Sequence, residues 1–394
     1  MISFPNARKR LLDKTKPLGV ETVSLGKLGG RVFAEDLVCP FDVPHFDNSQ
    51  FDGYAIRAAD GLTPRRIVGT SAAGGPPSPP VGQGEAARIF TGAPLPEGAD
   101  AVVMQEDVQA DHAEVRVQES SEKGAFVRRR GEEIGAGTSF PVTGRVASPP
   151  LVGLAASFGQ ASFSVFRRPR VAVVATGSEL VEVGNPLEPG QVYASNPWAI
   201  TDALAGLGIV DVQSRLVNDD PARTRETFIT ALGDADVLIT LGGVSVGDHD
   251  LVRSTLSELG VEETFWRVAM KPGKPFYFGM KEGKAVFGLP GNPVSALVTF
   301  QVLARPALRR MLGIEEAEEE ITARLARRFT RKDTRYEFLR ATLTDGVATL
   351  VEHQGSHMQT GLAFADALVH IPDGATSVEA GETVRTTPLR WGVR

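Results

Sequence analysis

Residues 170–176 (RVAVVAT), 236–241 (DVLITL) and 285–289 (AVFGL) are short, continuously apolar or β-branched runs. Such runs mark strands buried on both faces of a parallel sheet. Between them the pattern turns helical, with defined starts. Asn196-Pro197 opens a helix over 198–207, Asp220-Pro221 one over 222–232 and Asn292-Pro293 one over 294–312. Each start pairs a capping side chain with a proline at the first helical position, where a missing N–H costs nothing. Gly206 or Gly208 closes the first helix and Gly233 the second. The alternation predicts right-handed crossovers and a doubly wound, mostly parallel sheet, whose ligands bind beyond the carboxyl ends of the strands.

Elsewhere the period shortens. Residues 40–59 are dense in turn formers, 72–85 are rich in Gly and Pro, and short alternating runs follow at 88–91, 101–104, 112–117 and 126–130. These predict an all-β insertion. Residues 151–158 (LVGLAASF) predict a short packed helix, and 315–320 (EEAEEE) a solvated linker or helix end. The remainder, 321–394, alternates strands with turns at Asp345-Gly346, Asp373-Gly374 and Ala380-Gly381, as a small β-barrel or sandwich does. The expected organisation is multidomain α/β. A linking domain takes 1–45 plus 146–168, a mainly β insertion domain 46–145, the α/β domain 169–314 and a C-terminal β-barrel 318–394.

Composition narrows the class. A chain of 394 residues has room for two to four domains, at roughly 100–200 residues each. Its formal net charge of −6 argues against wholesale nucleic-acid binding. Cys39 is the single cysteine, which excludes an internal disulfide framework and suits a reducing compartment. No apolar run approaches the ~20 residues of a membrane span, and the N-terminus lacks a secretory apolar region. A cytoplasmic location without membrane attachment is expected.

The candidate chemistry sits in glycine-rich loops. In GGVSVGDHD, Gly242 and Gly243 allow close backbone approach beside Val244, Ser245 adds a hydroxyl, and Asp248 and Asp250 add carboxylates. That set suits phosphate with a hard cation such as Mg2+. In KPGKP, Lys271 and Lys274 lie on a turn stiffened by Pro272 and Pro275, and an anion between them would relieve their repulsion. In LPGNP, with Pro290, Gly291 and Asn292, the following helix offers unpaired N–H groups to an anion, and Ser295 lies in its first turn. Thr176-Gly177-Ser178-Glu179 forms a fourth such segment. Each loop alone reads as an ordinary turn, each lysine as solvated and Asp248 as a helix cap. Convergence at one sheet edge favours a site.

DNSQFDGYA, FTGAPLPEGAD, RRRGEEI, ATGSEL, GGVSVGDHD, KPGKP and GLPGNPVSAL occur in one order along the chain. In that order and approximate spacing the chain resembles the molybdopterin molybdenumtransferases, the MoeA family, to which the E domain of gephyrin is related. The resemblance runs from about residue 41 to the C-terminus. It implies binding of adenylylated molybdopterin and molybdate, cleavage of the pyrophosphate-type linkage with Mg2+, and release of AMP. It implies a molybdate pocket of Lys271, Lys274, Pro275, Ser245 and Ser295, completed by Arg335 in RYEFLRA and Ser356 in HQGSH. Asp250 would stand nearest the cation, with Asp248 the weaker ligand. Glu179 and Asp220 match acidic positions that the family uses for ligand and metal contact.

The resemblance also implies a homodimer in which Asp52, Thr91 and Glu133 complete the partner's site. A molybdopterin adenylyltransferase and apo-molybdoenzymes would be protein partners. Gln50-Phe51, Glu133 and Arg267 depart from the family pattern, the last replacing a frequent lysine without its geometry. A nucleotide pyrophosphatase on the same fold and a gephyrin-like scaffold are the alternatives. The DNSQFDGYA insertion opposes the first, and the lack of extra partner-binding segments opposes the second.

Overall fold

The computed structural model describes residues 1–243, 251–315 and 320–391. The chain divides into two compact units, one of Met1–Glu35, Thr143–Val152 and Ser162–Arg394, the other of Asp36–Val142 and Gly153–Ala161.

The three apolar runs are the central strands of a six-stranded sheet in the first unit. Its order is Val212–Val217, Val171–Thr176, Val237–Leu241, Lys284–Leu289, Tyr277–Lys281, Glu262–Trp266. The first four are parallel, and Tyr277–Lys281 runs against both neighbours. Every residue of Val171–Thr176 and Val237–Leu241 is buried, as continuous apolar runs require.

Helices Ser195–Ala205, Pro221–Asp234, Leu251–Glu258 and Pro293–Thr299 are set among these strands. Gly208, at φ +76°, follows the end of the first. Gly233 lies inside the second, which continues to Asp234, and the Lys284 ammonium takes the carbonyls of Leu232 and Gly233 there. The helix expected over 294–312 is interrupted. It widens into a π turn at Phe300–Ala304 and resumes as Arg305–Met311, just where Pro306 has no N–H to give back to the preceding turn.

The C-terminal residues close a five-stranded barrel. Its circuit is Tyr336–Thr344, Val347–Leu350, Ile321–Leu325, Thr383–Pro388 and Ala367–Ile371, returning to Tyr336–Thr344. Leu325, Leu339, Val369 and Ile371 fill its core. Two further strands extend this sheet. Val268–Lys271 pairs in parallel with Tyr336–Thr344, and Ile2–Ser3 pairs with Val268–Lys271 on its other side. KPGKP therefore follows a strand of the barrel sheet, which corrects the expectation that all the glycine loops end strands of the α/β sheet. Of the acidic stretch, 316–319 lie outside the described residues, while Glu320 pairs with Arg385 at 3.2 Å.

In the second unit, six strands form one sheet: Ala101–Met104, Gly53–Ile56, Glu85–Ile89, Arg65–Ser71, Glu114–Val117 and Val108–Ala110. This is the β insertion that the short alternating runs predict. The helix expected at 151–158 is Pro149–Ser157. Among the described residues no helix is long and apolar enough to cross a membrane.

Candidate active site

A cleft of about 1570 Å³ opens at the carboxyl ends of Val171–Thr176, Val237–Leu241 and Lys284–Leu289. Its walls include Thr176, Gly177, Glu179, Gly242, Gly243, Pro275, Pro290, Gly291 and Asn292. Four separate sequence segments thus meet where a doubly wound sheet places its ligand. The glycines are sterically obligatory. Gly242 has φ +88°, and a Cβ there would stand 2.8 Å from the Thr176 carbonyl. Gly243 has φ +65°, and its Cβ would stand 2.4 Å from Val252 Cγ2 and 2.9 Å from Thr176 Oγ1. Val244, Ser245, Asp248 and Asp250 lie outside the described residues.

Among the described residues three carboxylates line this cleft, Glu179, Asp219 and Glu263, the last paired with Arg253 at 2.7 Å; Asp220, expected beside Glu179, is not one of them. Glu179 is exposed on its wall. Asp220 instead caps the helix Pro221–Asp234, its Oδ1 accepting from the Arg223 N–H at 2.8 Å. The neighbouring Asp219 lines the cleft and is locked to Ser178, accepting from that backbone N–H at 3.0 Å and donating its own N–H to Ser178 Oγ at 3.2 Å. Among the described residues no group of three or more His, Cys, Asp or Glu is placed to hold a metal. Glu179 and Asp219 nevertheless supply hard oxygen donors of the kind Mg2+ takes.

The lysine turn is built from the barrel side. Lys271 and Glu337 are direct neighbours in the register of their two strands. The Lys271 ammonium lies 2.8 Å from Glu337 Oε1, and Arg331 lies 3.2 Å from Oε2. Glu337 and Arg331 are each only 4% exposed in their side chains, whereas Lys271 is half exposed. Lys271 thus carries an internal counter-ion, so repulsion from Lys274 does not by itself demand a bound anion. Lys274 is exposed, with its carbonyl accepting the N–H groups of Val268 and Phe276, and Pro275 reaches the cleft wall. Gly273, at φ +101°, is required because a Cβ would stand 2.1 Å from Thr299 Cγ2.

The remaining barrel residues divide. Arg335 is committed to Asp333, bonding both carboxylate oxygens through Nε at 3.0 Å, and donates to the Met270 carbonyl at 3.3 Å. The hydrogen bonds from Arg335 hold the Asp333 carboxyl far below its usual range. Ser356 meets the LPGNP loop directly. Its carbonyl accepts the Val294 N–H at 3.2 Å, and its Oγ accepts from Asn292 Nδ2 at 3.2 Å. Asn292 makes no side-chain capping bond; it ties the loop to the barrel instead. Asn196 likewise gives its Nδ2 to the Gly291 carbonyl at 2.6 Å. Ser295 is buried in the first helical turn, its carbonyl accepting from Thr299 Oγ1 at 2.8 Å.

Besides Asp219, three residues missed by the sequence reading belong here. Gln359 lines the cleft and donates Nε2 to Ser195 Oγ at 3.2 Å. Arg340 is fully buried and holds the carbonyls of His353 and Gly355 at 2.5 and 3.3 Å, bracing the loop that presents Ser356. Glu337 is the third. Glu337 and Arg340 had one visible signal, charges set inside the strand-like run YEFLRAT.

In the second unit, Asp52 Oδ1 accepts both the N–H and the Oγ1 of Thr91 at 2.7 Å. These bonds, the backbone one foremost, hold its carboxyl below the usual range. Glu133 is exposed, and its backbone N–H donates to the Val43 carbonyl at 3.0 Å.

The site is thus a glycine-walled cleft on a doubly wound α/β sheet, beside a lysine turn fed from an adjoining barrel, the architecture of an α/β enzyme domain. Residues 172–310 match the probable molybdopterin binding domain, residues 2–159 the MoeA N-terminal region (domain I and II), and residues 322–389 the MoeA C-terminal region (domain IV). The chain is 36% identical to the molybdopterin molybdenumtransferase of Haemophilus influenzae, covering 99% of both chains. It is 37% identical to molybdopterin molybdenumtransferase 2 of Mycobacterium tuberculosis, over 93% of this chain and 95% of that one. A solved molybdopterin biosynthesis MoeA protein from Pyrococcus superposes with a TM-score of 0.87 at 34% identity, covering 99% of each chain. The chain belongs to the MoeA family, the molybdopterin molybdenumtransferases, enzymes of molybdenum cofactor biosynthesis.

Proposed function

We propose that this enzyme takes adenylylated molybdopterin and molybdate, cleaves the pyrophosphate-type linkage, and releases AMP with molybdenum placed on the pterin dithiolene. The observation that carries the reading is the meeting of the Thr176–Glu179 segment, the Gly242-Gly243 pair, the LPGNP loop and Pro275 of the lysine turn around one cleft. Exposed glycine backbone and a helix start suit phosphate oxygens. Molybdate, a tetrahedral dianion, suits Lys271 and Lys274 with hydroxyls from Ser245 and Ser356. Because Ser295 is buried, it acts on this reading by shaping the helix start that faces the anion.

Asp250 and Asp248, with Glu179, would hold Mg2+, which would supply Lewis-acid neutralisation of phosphate charge. The chain's own groups orient the linkage, and the lysines stabilise charge developing on the departing oxygen. The protein supplies no thiol nucleophile in this scheme: Cys39 is fully buried and its Sγ donates to the Phe41 carbonyl at 3.0 Å. We further propose a cytoplasmic homodimer in which Asp52, Thr91 and Glu133 serve the partner's cleft. It would receive substrate from a molybdopterin adenylyltransferase and pass product to apo-molybdoenzymes.

The test follows AMP from adenylylated molybdopterin with Mg2+, with and without molybdate. Release that depends on molybdate is expected, and Lys271→Ala and Asp250→Ala should each lower it by ~10²–10³. Release indifferent to molybdate would point to a pyrophosphatase. Near wild-type rates in both variants would remove the site assignment.

A further inference from the structure

The cleft has a second, differently furnished side. Residues 192–197 run consecutively along its edge, and this segment is held by parallel pairing of Leu180–Val181 with Val192–Tyr193. The Val192 N–H donates to the Glu179 carbonyl at 2.9 Å, so the edge is fastened to the same segment that carries the cleft carboxylate. Despite this anchoring, Val192 is 51% and Tyr193 43% exposed. Tyr193 donates its hydroxyl to the Asn185 carbonyl at 3.0 Å, which restrains the ring while a large share of it stays bare on the cleft wall. A restrained, exposed aromatic face in a ligand cleft is a stacking surface. Close to it in sequence, Ser195 is joined to Gln359, whose carboxamide keeps a carbonyl oxygen and an N–H beyond the one given to Ser195. Adjacent donor and acceptor on a carboxamide match the edge of a nitrogen heterocycle bidentately.

We propose that Tyr193, with Val192, Ser195 and Gln359, forms the subsite for a planar nitrogen heterocycle of the substrate. The floor of Gly177, Gly242, Gly243 and Gly291 takes the phosphates. This segregation of an apolar, stackable edge from an anion-binding floor fits a ligand that is flat at one end and charged at the other. The inference rests on the proposed function for the identity of that ligand, whose pterin and adenine rings share the required chemistry.

The experiment measures binding of molybdopterin and of AMP separately, by anaerobic ultrafiltration, to the full chain and to its Tyr193→Ala, Tyr193→Phe and Gln359→Ala variants. Inorganic phosphate serves as the floor control. Loss of one stacking face should weaken one of the two probes by about tenfold to a hundredfold. Tyr193→Phe should keep most of that affinity, Gln359→Ala should weaken the same probe, and phosphate binding should not change. Whichever probe responds identifies the ring. If both probes bind Tyr193→Ala as they bind the parent, if phosphate weakens equally, or if the parent binds neither probe, the subsite is overturned. A parent that binds the responding probe yet releases no AMP when given adenylylated molybdopterin, Mg2+ and molybdate overturns the transferase reading and leaves the subsite standing.

Discussion

Glu337 shows how much a single carboxylate can set. It neutralises a buried guanidinium with one oxygen and a half-exposed ammonium with the other. Arg331 also gives hydrogen bonds to the carbonyls of Ala375, Arg335 and Pro372, so the buried half of the triad is the better supported structurally. Stability and activity should therefore separate. Glu337→Gln is expected to cost about 1–3 kcal/mol in urea unfolding because it takes the charge from a buried partner. Lys271→Ala should cost less than about 1 kcal/mol, since its side chain is half in water, while losing far more turnover. Equal stability losses in the two variants would contradict this division. Side-chain roles at this scale were only partly legible in the sequence. Asp220 is the helix cap that its Asp-Pro context suggested, but Asn196 and Asn292, in matching contexts, tie loops together across the cleft. A cap needs only neighbouring backbone, so sequence shows it; a tie needs a partner far along the chain.

Strand patterns were readable where both faces are buried and poorly readable where one face meets water. Val171–Thr176, Val237–Leu241 and Lys284–Leu289 announce themselves, whereas the edge strand Val212–Val217 carries Gln213, Ser214 and Arg215 exposed and escaped notice. Val268–Lys271 was hidden for another reason. Its pairing partner lies more than sixty residues later, in a sheet that sequence assigns to a different domain. The turn that follows it is held by shape as well as by pairing. Gly273→Ala should destabilise the protein by about 1–3 kcal/mol through overpacking against Thr299. Adding Thr299→Ser, which deletes Cγ2 and keeps the hydroxyl, should recover part of the loss. The remainder would be the strain of an alanine at positive φ. No recovery in the double variant would show that the methyl contact is not the cause.

At the scale of the whole molecule, the barrel carries an acid-sensitive element. His370 is buried on Ala367–Ile371, with Tyr336 Oη at 2.9 Å from Nδ1 and Thr387 Oγ1 at 2.7 Å from Nε2. Burial pushes its pKa down to about 3, with smaller contributions from Arg385 and Arg8. It is neutral in the fold and takes up a proton on unfolding near the ordinary histidine value of about 6.5. Its contribution is complete above about pH 6.5 and is lost as pH falls from there towards about 3. Unfolding midpoints should drop with acid across that window, and less steeply in His370→Gln; identical slopes would exclude His370 as the source.

The MoeA resemblance was legible because seven motifs fall in sequence, but the sheet that joins barrel to cleft was not. Its consequence concerns modularity. A fragment cut as residues 169–314, where composition suggests a domain ends, would keep Val268–Lys271 and lose Tyr336–Thr344, leaving an unpaired edge and a lysine without its counter-ion. Such a fragment should self-associate in sizing experiments, and a barrel transplanted from a relative would transmit its own register to Lys271. The barrel and the lysine turn are in this sense one piece: cut apart, neither keeps its pairing.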